Sequence, residues 1–256
     1  VERNLIDTFR HLSTAIQIPP SDFFPRFAGA LNFLNKNCAG ISQFKKNWID
    51  IANRRSVVLW HKLQAAPWNV ATAIGHVIEA APISGMNLQL SNGLAVRVAS
   101  MSCLDKFHRV DCNRGVSGID GSTSTAVGAS LAYKGGDTLL ITGDMSFQYD
   151  LGALASNYLT SKLRIVLLNN GGGGIFKYIK TTRSLPEVDS LFRCQLNVDA
   201  KAIANAFGLK YYHADSYESL QEAVPAFFAG PAPATLEIAT DAGIDAAVLT
   251  ETTTNN

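Results

Sequence analysis

Two dipeptides, Gly143-Asp144 and Asn169-Asn170, carry most of the chemistry this chain can offer. Each closes an apolar, β-branched run, Thr138 to Thr142 in the first case and Arg164 to Leu168 in the second. A carboxylate and an amide oxygen suit a hard cation such as Mg²⁺, which takes a few protein oxygens and fills its octahedron with phosphate and water. Gly171 to Gly174 follow the second pair, and successive backbone N–H groups in such a run can form a nest for an anion. Either Asp144 or Asn170 by itself reads as an ordinary strand end, because both residue types favour turns. Taken together with Gly143, Ser146 and the glycines, they describe a cradle for a metal and a diphosphate.

Such a cradle needs two neighbouring strands. Between the runs, Asp150 is expected to cap a helix over Leu151 to Thr160. Strand, helix, strand predicts two parallel neighbours joined by a right-handed crossover. Asp144 and Asn170, 26 positions apart, then emerge side by side at the carboxyl ends, where open α/β sheets bind ligands. Further strands are predicted near Asn87–Leu90, His108–Asp111, Lys210–His213 and Thr235–Ala239, with helices near Ser42–Gln64, after Pro67, and at Leu94–Leu104, Ser122–Tyr133, Ala200–Phe207 and Tyr217–Phe228. This alternation predicts an α/β fold, a doubly wound and mostly parallel sheet with helices on both faces. Residues 1–40 read as the irregular tail of a preceding domain, with Ile18-Pro19-Pro20-Ser21 a breaker. Residues 41–245 read as the cofactor domain and 246–256 as a polar, disordered tail. Val1 is not an initiator methionine, so a portion of a longer chain is expected.

Composition narrows the classes. A formal net charge of +1 gives no electrostatic case for nucleic acid or anionic membrane. Charged residues are only 17% of the chain, below the usual quarter, so much surface is expected to be covered by helices or partner subunits. No apolar run is long enough for a membrane span. Cys38, Cys103, Cys112 and Cys194 lack C-x-x-C spacing, which points away from zinc or a redox pair and toward a reduced, cytoplasmic setting. His11, His61, His76, His108 and His213 adjoin no motif.

A Gly-Asp, a gap of this size and a closing Asn-Asn resemble the cofactor motif of thiamine diphosphate enzymes. Where that motif usually has Gly or Ala, this chain has Met145, and it continues Ser146-Phe147-Gln148-Tyr149-Asp150-Leu151. That continuation, the segment Asn113-Arg114-Gly115-Val116-Ser117-Gly118-Ile119-Asp120-Gly121, and Asn169 through Phe176 resemble one branch, the menaquinone-pathway 2-succinyl-5-enolpyruvyl-6-hydroxy-3-cyclohexene-1-carboxylate synthases. The resemblance runs from about Leu88 to about Asp241. It implies thiamine diphosphate with Mg²⁺ or Mn²⁺, and metal ligands Asp144, Asn170 and the Gly172 carbonyl. It places Ser117, Gly143, Met145, Ser146, Gly173 and Gly174 against the cofactor. Ile119 matches the apolar wedge that bends the cofactor, while Ile175 and Phe176 match the wall over its reacting ring. Arg97, Arg114 and Ile179 are implied to meet substrate, the arginines as carboxylate clamps. The branch has Ser where this chain has Gly93, and commonly Asn and Gln at Gly171 and Gly174, so a looser glycine loop is expected.

The resemblance implies decarboxylation of 2-oxoglutarate and addition to isochorismate. It also implies a homodimer or homotetramer, and an activating Glu from a pyrimidine-binding domain of the same or a second chain. Glu2, Glu79, Glu187, Glu218, Glu222, Glu237 and Glu251 stand in no motif of that domain. The activating Glu is therefore expected upstream of Val1, and the isolated chain is expected to be inactive. The rivals are another thiamine diphosphate 2-oxo acid decarboxylase or acetolactate-synthase-like enzyme, and a non-catalytic phosphate- or nucleotide-binding module. No G-x-G-x-x-G follows a strand and Gly-Lys never occurs, which argues against dinucleotide and P-loop sites.

Overall fold

The computed structural model describes residues 6–7, 10–37, 39–83 and 85–254. The chain divides into two compact units, Val1–Arg55 and Ser56–Asn256. The first contains α1 (Pro20–Asn37) and most of α2 (Ala39–Ala65), so its described part is far more regular than expected. Pro20 does not break structure here. It opens α1, where its missing N–H costs nothing and its fixed φ suits the first turn. The expected boundary at 40/41 falls inside α2, which runs on through it. Val1–Leu5, Thr8, Phe9, Cys38, Ser84, Asn255 and Asn256 lie outside the described residues.

In the second unit six strands form one sheet, all parallel, in the order β2-β1-β3-β4-β6-β5. They are β1 (Asn87–Leu90), β2 (Arg109–Cys112), β3 (Thr138–Gly143), β4 (Leu163–Asn169), β5 (Lys210–Ala214) and β6 (Ala234–Ala239). Helices α3 (Val70–Ala80), α4 (Leu94–Ala99), α5 (Ser122–Ala132), α6 (Asp144–Tyr149), α7 (Ile175–Tyr178), α8 (Lys180–Arg183), α9 (Ala200–Ala206), α10 (Tyr217–Ala229) and α11 (Ala242–Thr254) surround it. Among the described residues no helix is long and apolar enough to cross a membrane.

Side chains alternate between the faces of a strand, and the two cores follow that alternation. Leu139, Ile141, Val166, Leu168, Leu236 and Ile238 pack with α3, α4, α10 and α11 on one face. Leu140, Leu163, Ile165 and Leu167 pack with α5, α6 and α9 on the other. Both faces are covered, which is why the central strands read as continuous apolar runs. Each fully buried Leu or Ile contributes about 1.5–3 kcal/mol. Arg164 is the exception inside β4: its Nε meets Asp137 at 2.7 Å, Nη2 donates to Gly230 O at 3.0 Å, and Nη1 donates to Phe227 O. A buried guanidinium is tolerated because each of its three nitrogens has an acceptor.

The crossover from β3 to β4 differs from expectation. The chain turns helical at once, giving α6 at Asp144, and Leu151–Ala155 is only a 3₁₀ turn. No apolar period announced α6, because two of the side chains it buries, Asp144 and Ser146, are polar. Asp150 does not cap its own segment; its Oδ2 accepts from Ser124 N–H at 2.7 Å and from Ser124 Oγ at 3.0 Å, in the first turn of α5. The helix at Leu94 stops at Ala99 rather than Leu104, where the Ser100 hydroxyl donates to Arg97 O at 2.7 Å. The tail expected to be disordered from 246 is helical through Thr254. Val248 and Leu249 are buried there, and the Thr252 and Thr253 hydroxyls donate to Val248 O and Leu249 O at 2.7 and 2.6 Å. Polar composition misled because threonine hydroxyls can be satisfied within their own helix.

Candidate active site

From β1 the chain goes outward to β2, then crosses back past β1 to β3, so the direction of winding reverses between β1 and β3. A crevice opens outside their carboxyl ends at such a switch point. Asn92 and Gly93 leave β1 there, Asp144 leaves β3, and Asn170 leaves β4 beside it, with Gly143 paired to Leu168 across the strands. A cavity of about 180 Å³ occupies the crevice. Gly143, Asp144, Met145, Ser146, Asn170, Gly173 and Gly174 line it, as do Ile119, Ile175 and Phe176. Ten of the residues expected at the site, from their type and spacing or from the resemblance, thus share one cavity. A larger cavity, about 380 Å³, lies beneath the end of α2 against α3 and α4. It contains none of them, and Lys106 at its edge is spent on the carbonyls of Ile78, Glu79 and Ala81.

Asp144 is 4% exposed. Its Oδ1 accepts from Met145 N–H at 2.7 Å, and its Oδ2 accepts from Gly172 N–H at 2.7 Å and Asn170 N–H at 3.2 Å. Burial pushes its carboxyl above the ordinary Asp range, and those N–H groups pull it partly back. Among the described residues no cationic side chain pairs with it. A buried carboxylate without a counter-charge, an amide beside it and glycines around both form a donor set that fits a hard dication. Among the described residues no three His, Cys, Asp or Glu cluster as metal ligands. The cation would therefore rest on one carboxylate, one amide and backbone oxygen, with Gly172 the candidate for the last.

The glycine loop is tied down rather than loose. Gly171 N–H donates to Asn169 Oδ1 at 3.4 Å and Gly173 N–H to the Met145 sulfur at 3.1 Å. Arg193 Nη2 donates to Asn170 O at 3.1 Å and Gly171 O at 3.4 Å. The N–H groups of Gly171, Gly172 and Gly173 are thus committed within the protein, not held open to an anion as expected. Glycine is required by close approach: a Cβ at Gly172 would lie 2.5 Å from Cys194 O, and one at Gly174 would strike the Asn170 amide. The Ser146 hydroxyl donates to Ile119 O at 2.5 Å, joining two residues assigned to the cofactor.

The substrate candidates stand at the rim. Arg97 is exposed and donates to Gly93 O at 2.8 Å, while exposed Arg114 donates to Asn92 Oδ1 at 2.8 Å. Both guanidinium groups are tethered to adjacent residues of the cavity lip. Gly93 has φ +92° and ψ −135°, a backbone conformation that a serine would enter only with strain. Ser117 is exposed at φ +58°, and Ile179 is half-buried between α7 and α8; neither lines the cavity.

Three side chains that carry the site went unassigned in the sequence. Asn92 is 5% exposed, and its Nδ2 donates to Asn113 O at 2.8 Å and Gly118 O at 2.6 Å. Asn92→Ala is expected to destabilise the protein by about 2 kcal/mol, from carbonyls left without donors. Thermal unfolding would check this, with hydrogen exchange rising selectively over residues 113–118. Glu237 accepts from Asn169 Nδ2 at 2.6 Å and from the Tyr211 hydroxyl. Burial and Glu237 together push the Tyr211 phenol upward. Asp245 accepts from Asn170. The alternation of a strand end could have separated Asn169, turned to Glu237 on β6, from Asn170, turned to the cavity; nothing local marks Glu237 or Asp245.

The chain is similar to 2-succinyl-5-enolpyruvyl-6-hydroxy-3-cyclohexene-1-carboxylate synthases of several bacteria. Identity is 36% over 221 residues with that of Flavobacterium psychrophilum, covering 86% of this chain and 39% of the relative. It is 35% over 250 residues with that of Porphyromonas gingivalis, covering 95% and 42%. With that of Christiangramia forsetii it is 38% over 186 residues, covering 72% and 32%. The chain thus spans about two fifths or less of the length of these relatives. Residues 93–238 match the family described as "Thiamine pyrophosphate enzyme, C-terminal TPP binding domain", and the chain belongs to that family.

Proposed function

We propose that this chain forms the diphosphate- and metal-binding part of a thiamine diphosphate-dependent synthase. The reaction would release CO₂ from 2-oxoglutarate and join the remaining four-carbon acyl unit to isochorismate. The observation that carries this reading is the single cavity at the β1/β3 switch point, which gathers a buried carboxylate, an amide, the glycine loop and an apolar wall. When bound, thiamine diphosphate supplies the carbon nucleophile that such a decarboxylation and addition require.

The protein's share is binding, orientation and exclusion of water. Asp144 and Asn170, with backbone oxygen from Gly172, would hold Mg²⁺ or Mn²⁺ and through it the diphosphate. Ile119, Ile175 and Phe176 give the reacting end a wall of low polarity. Arg97 and Arg114 at the lip offer cations for the carboxylates of the two substrates, with Ile179, three positions after Phe176, as an apolar contact. Among the described glutamates none lines the cavity, and buried Glu237 is committed to Asn169 and Tyr211. The carboxylate that activates the aminopyrimidine would then come from a pyrimidine-binding domain of the same or a second chain, in a cytoplasmic homodimer or homotetramer.

Thermal unfolding with thiamine diphosphate and Mg²⁺, against NAD and ATP, tests the assignment. Ligand at about 100 times its Kd stabilises by about 2.7 kcal/mol, a rise in Tm of roughly 5–10 °C for a chain of this size. The rise is expected with thiamine diphosphate and to vanish when metal is removed. Equal, metal-independent rises with ATP would identify a general phosphate-binding module instead.

A further inference from the structure

Asp245 is the fourth residue of α11, far in sequence from either motif, and its side chain is buried against the site. Its Oδ1 accepts from the backbone N–H of Val70 at 2.7 Å. Its Oδ2 accepts from the Thr240 hydroxyl at 2.7 Å and from Asn170 Nδ2 at 3.2 Å. Val70 opens α3 and lines the same cavity as Asn170. One carboxylate therefore links α3, the end of β6, α11 and the candidate metal ligand.

A carboxylate only accepts hydrogen bonds, while the Asn amide has one accepting and one donating end. Asp245 thus dictates that Asn170 turn its NH₂ inward and leave its carbonyl oxygen as the end a cation would meet. We propose that Asp245 is a positioning residue for the cation site, selecting the amide orientation that makes Asn170 a ligand. This deepens the metal-binding reading and rests on it.

Charge-swapped variants provide the test, in the full chain with thiamine diphosphate and with Mn²⁺ as the probe. Free Mn²⁺ is read by electron paramagnetic resonance, and folding by circular dichroism without metal. Asp245→Asn keeps size and shape but presents an NH₂ to Asn170, whose amide must flip and turn its own NH₂ toward the cation. Mn²⁺ affinity is expected to fall about 10–100-fold, the usual effect of losing an outer partner of a ligand. Adding Asn170→Asp restores an acceptor for the new amide and an oxygen for the cation. The double variant is expected to recover to within about threefold of the wild type.

An unchanged affinity in Asp245→Asn would overturn the positioning role while leaving the metal site intact. A loss that the double variant does not rescue, or loss of the folded state in both variants, would make Asp245 a staple between α3 and α11 and overturn it as well. Absence of Mn²⁺ binding in the wild type would overturn the metal reading, and this inference with it.

Discussion

Asp144→Ala is expected to abolish the metal-dependent stabilisation by thiamine diphosphate. Among the described residues, the substitution removes the one buried carboxylate that lines the cavity. Removing one member of a buried charge pair typically costs about 3–5 kcal/mol, or two to three orders of magnitude in affinity at about 1.4 kcal/mol per tenfold. The ligand-free protein should respond differently. Asp144 is buried without a counter-charge, so Asp144→Asn removes an uncompensated charge and keeps an oxygen to accept from Gly172 and Asn170, giving up only the bond from Met145 N–H. Its ligand-free Tm is expected to match or exceed the wild type while its response to Mg²⁺ is lost. Paired melts with and without metal and cofactor check both halves. An undiminished metal-dependent shift in Asp144→Ala would reduce Asp144 to a strand-end residue.

Gly172→Ala is expected to lower stability by about 3–4 kcal/mol. A φ of +101° strains any residue with a Cβ, at a cost of about 1–3 kcal/mol. The Cβ would also press into the Arg193 and Cys194 backbone, and overpacking adds about 1–3 kcal/mol. The Tm should fall by roughly 10 °C, and the cofactor response should weaken because the same loop faces Asp144. Gly128→Ala is the control. Gly128 lies inside α5, and a methyl group added there would meet open space, so alanine should gain about 0.5–1 kcal/mol. Calorimetry of the two variants separates a glycine needed for its backbone from one that is merely present.

The strands were legible in the sequence because each is short and bounded by turn residues, and the central ones are apolar. β1 falls on the predicted residues, and the other five differ only by a residue or two at their ends. Motif spacing also told which residues belong together, since a parallel sheet sends every strand's carboxyl end to one edge. It did not reveal α6, α1 or the last helix. In α6 the buried polar face is stabilised by partners distant in the chain. In α1 and α11 proline and threonine act in the helical roles they share with loops.

Local residue chemistry determined the parallel sheet, the edge that carries the site, and the pairing of Asp144 with Asn170. Tertiary structure alone decided what those side chains do there. Asp150 caps a helix from another crossover, Asn92 holds the loop after β2, and Asp245 orients Asn170 from 75 positions away. It also decided that the glycine N–H groups close on Asp144 and Met145. Periodicity records which face of an element is apolar, whereas a buried polar group is defined by the partner that satisfies it. Such partners come from chain segments brought together only when the sheet is assembled.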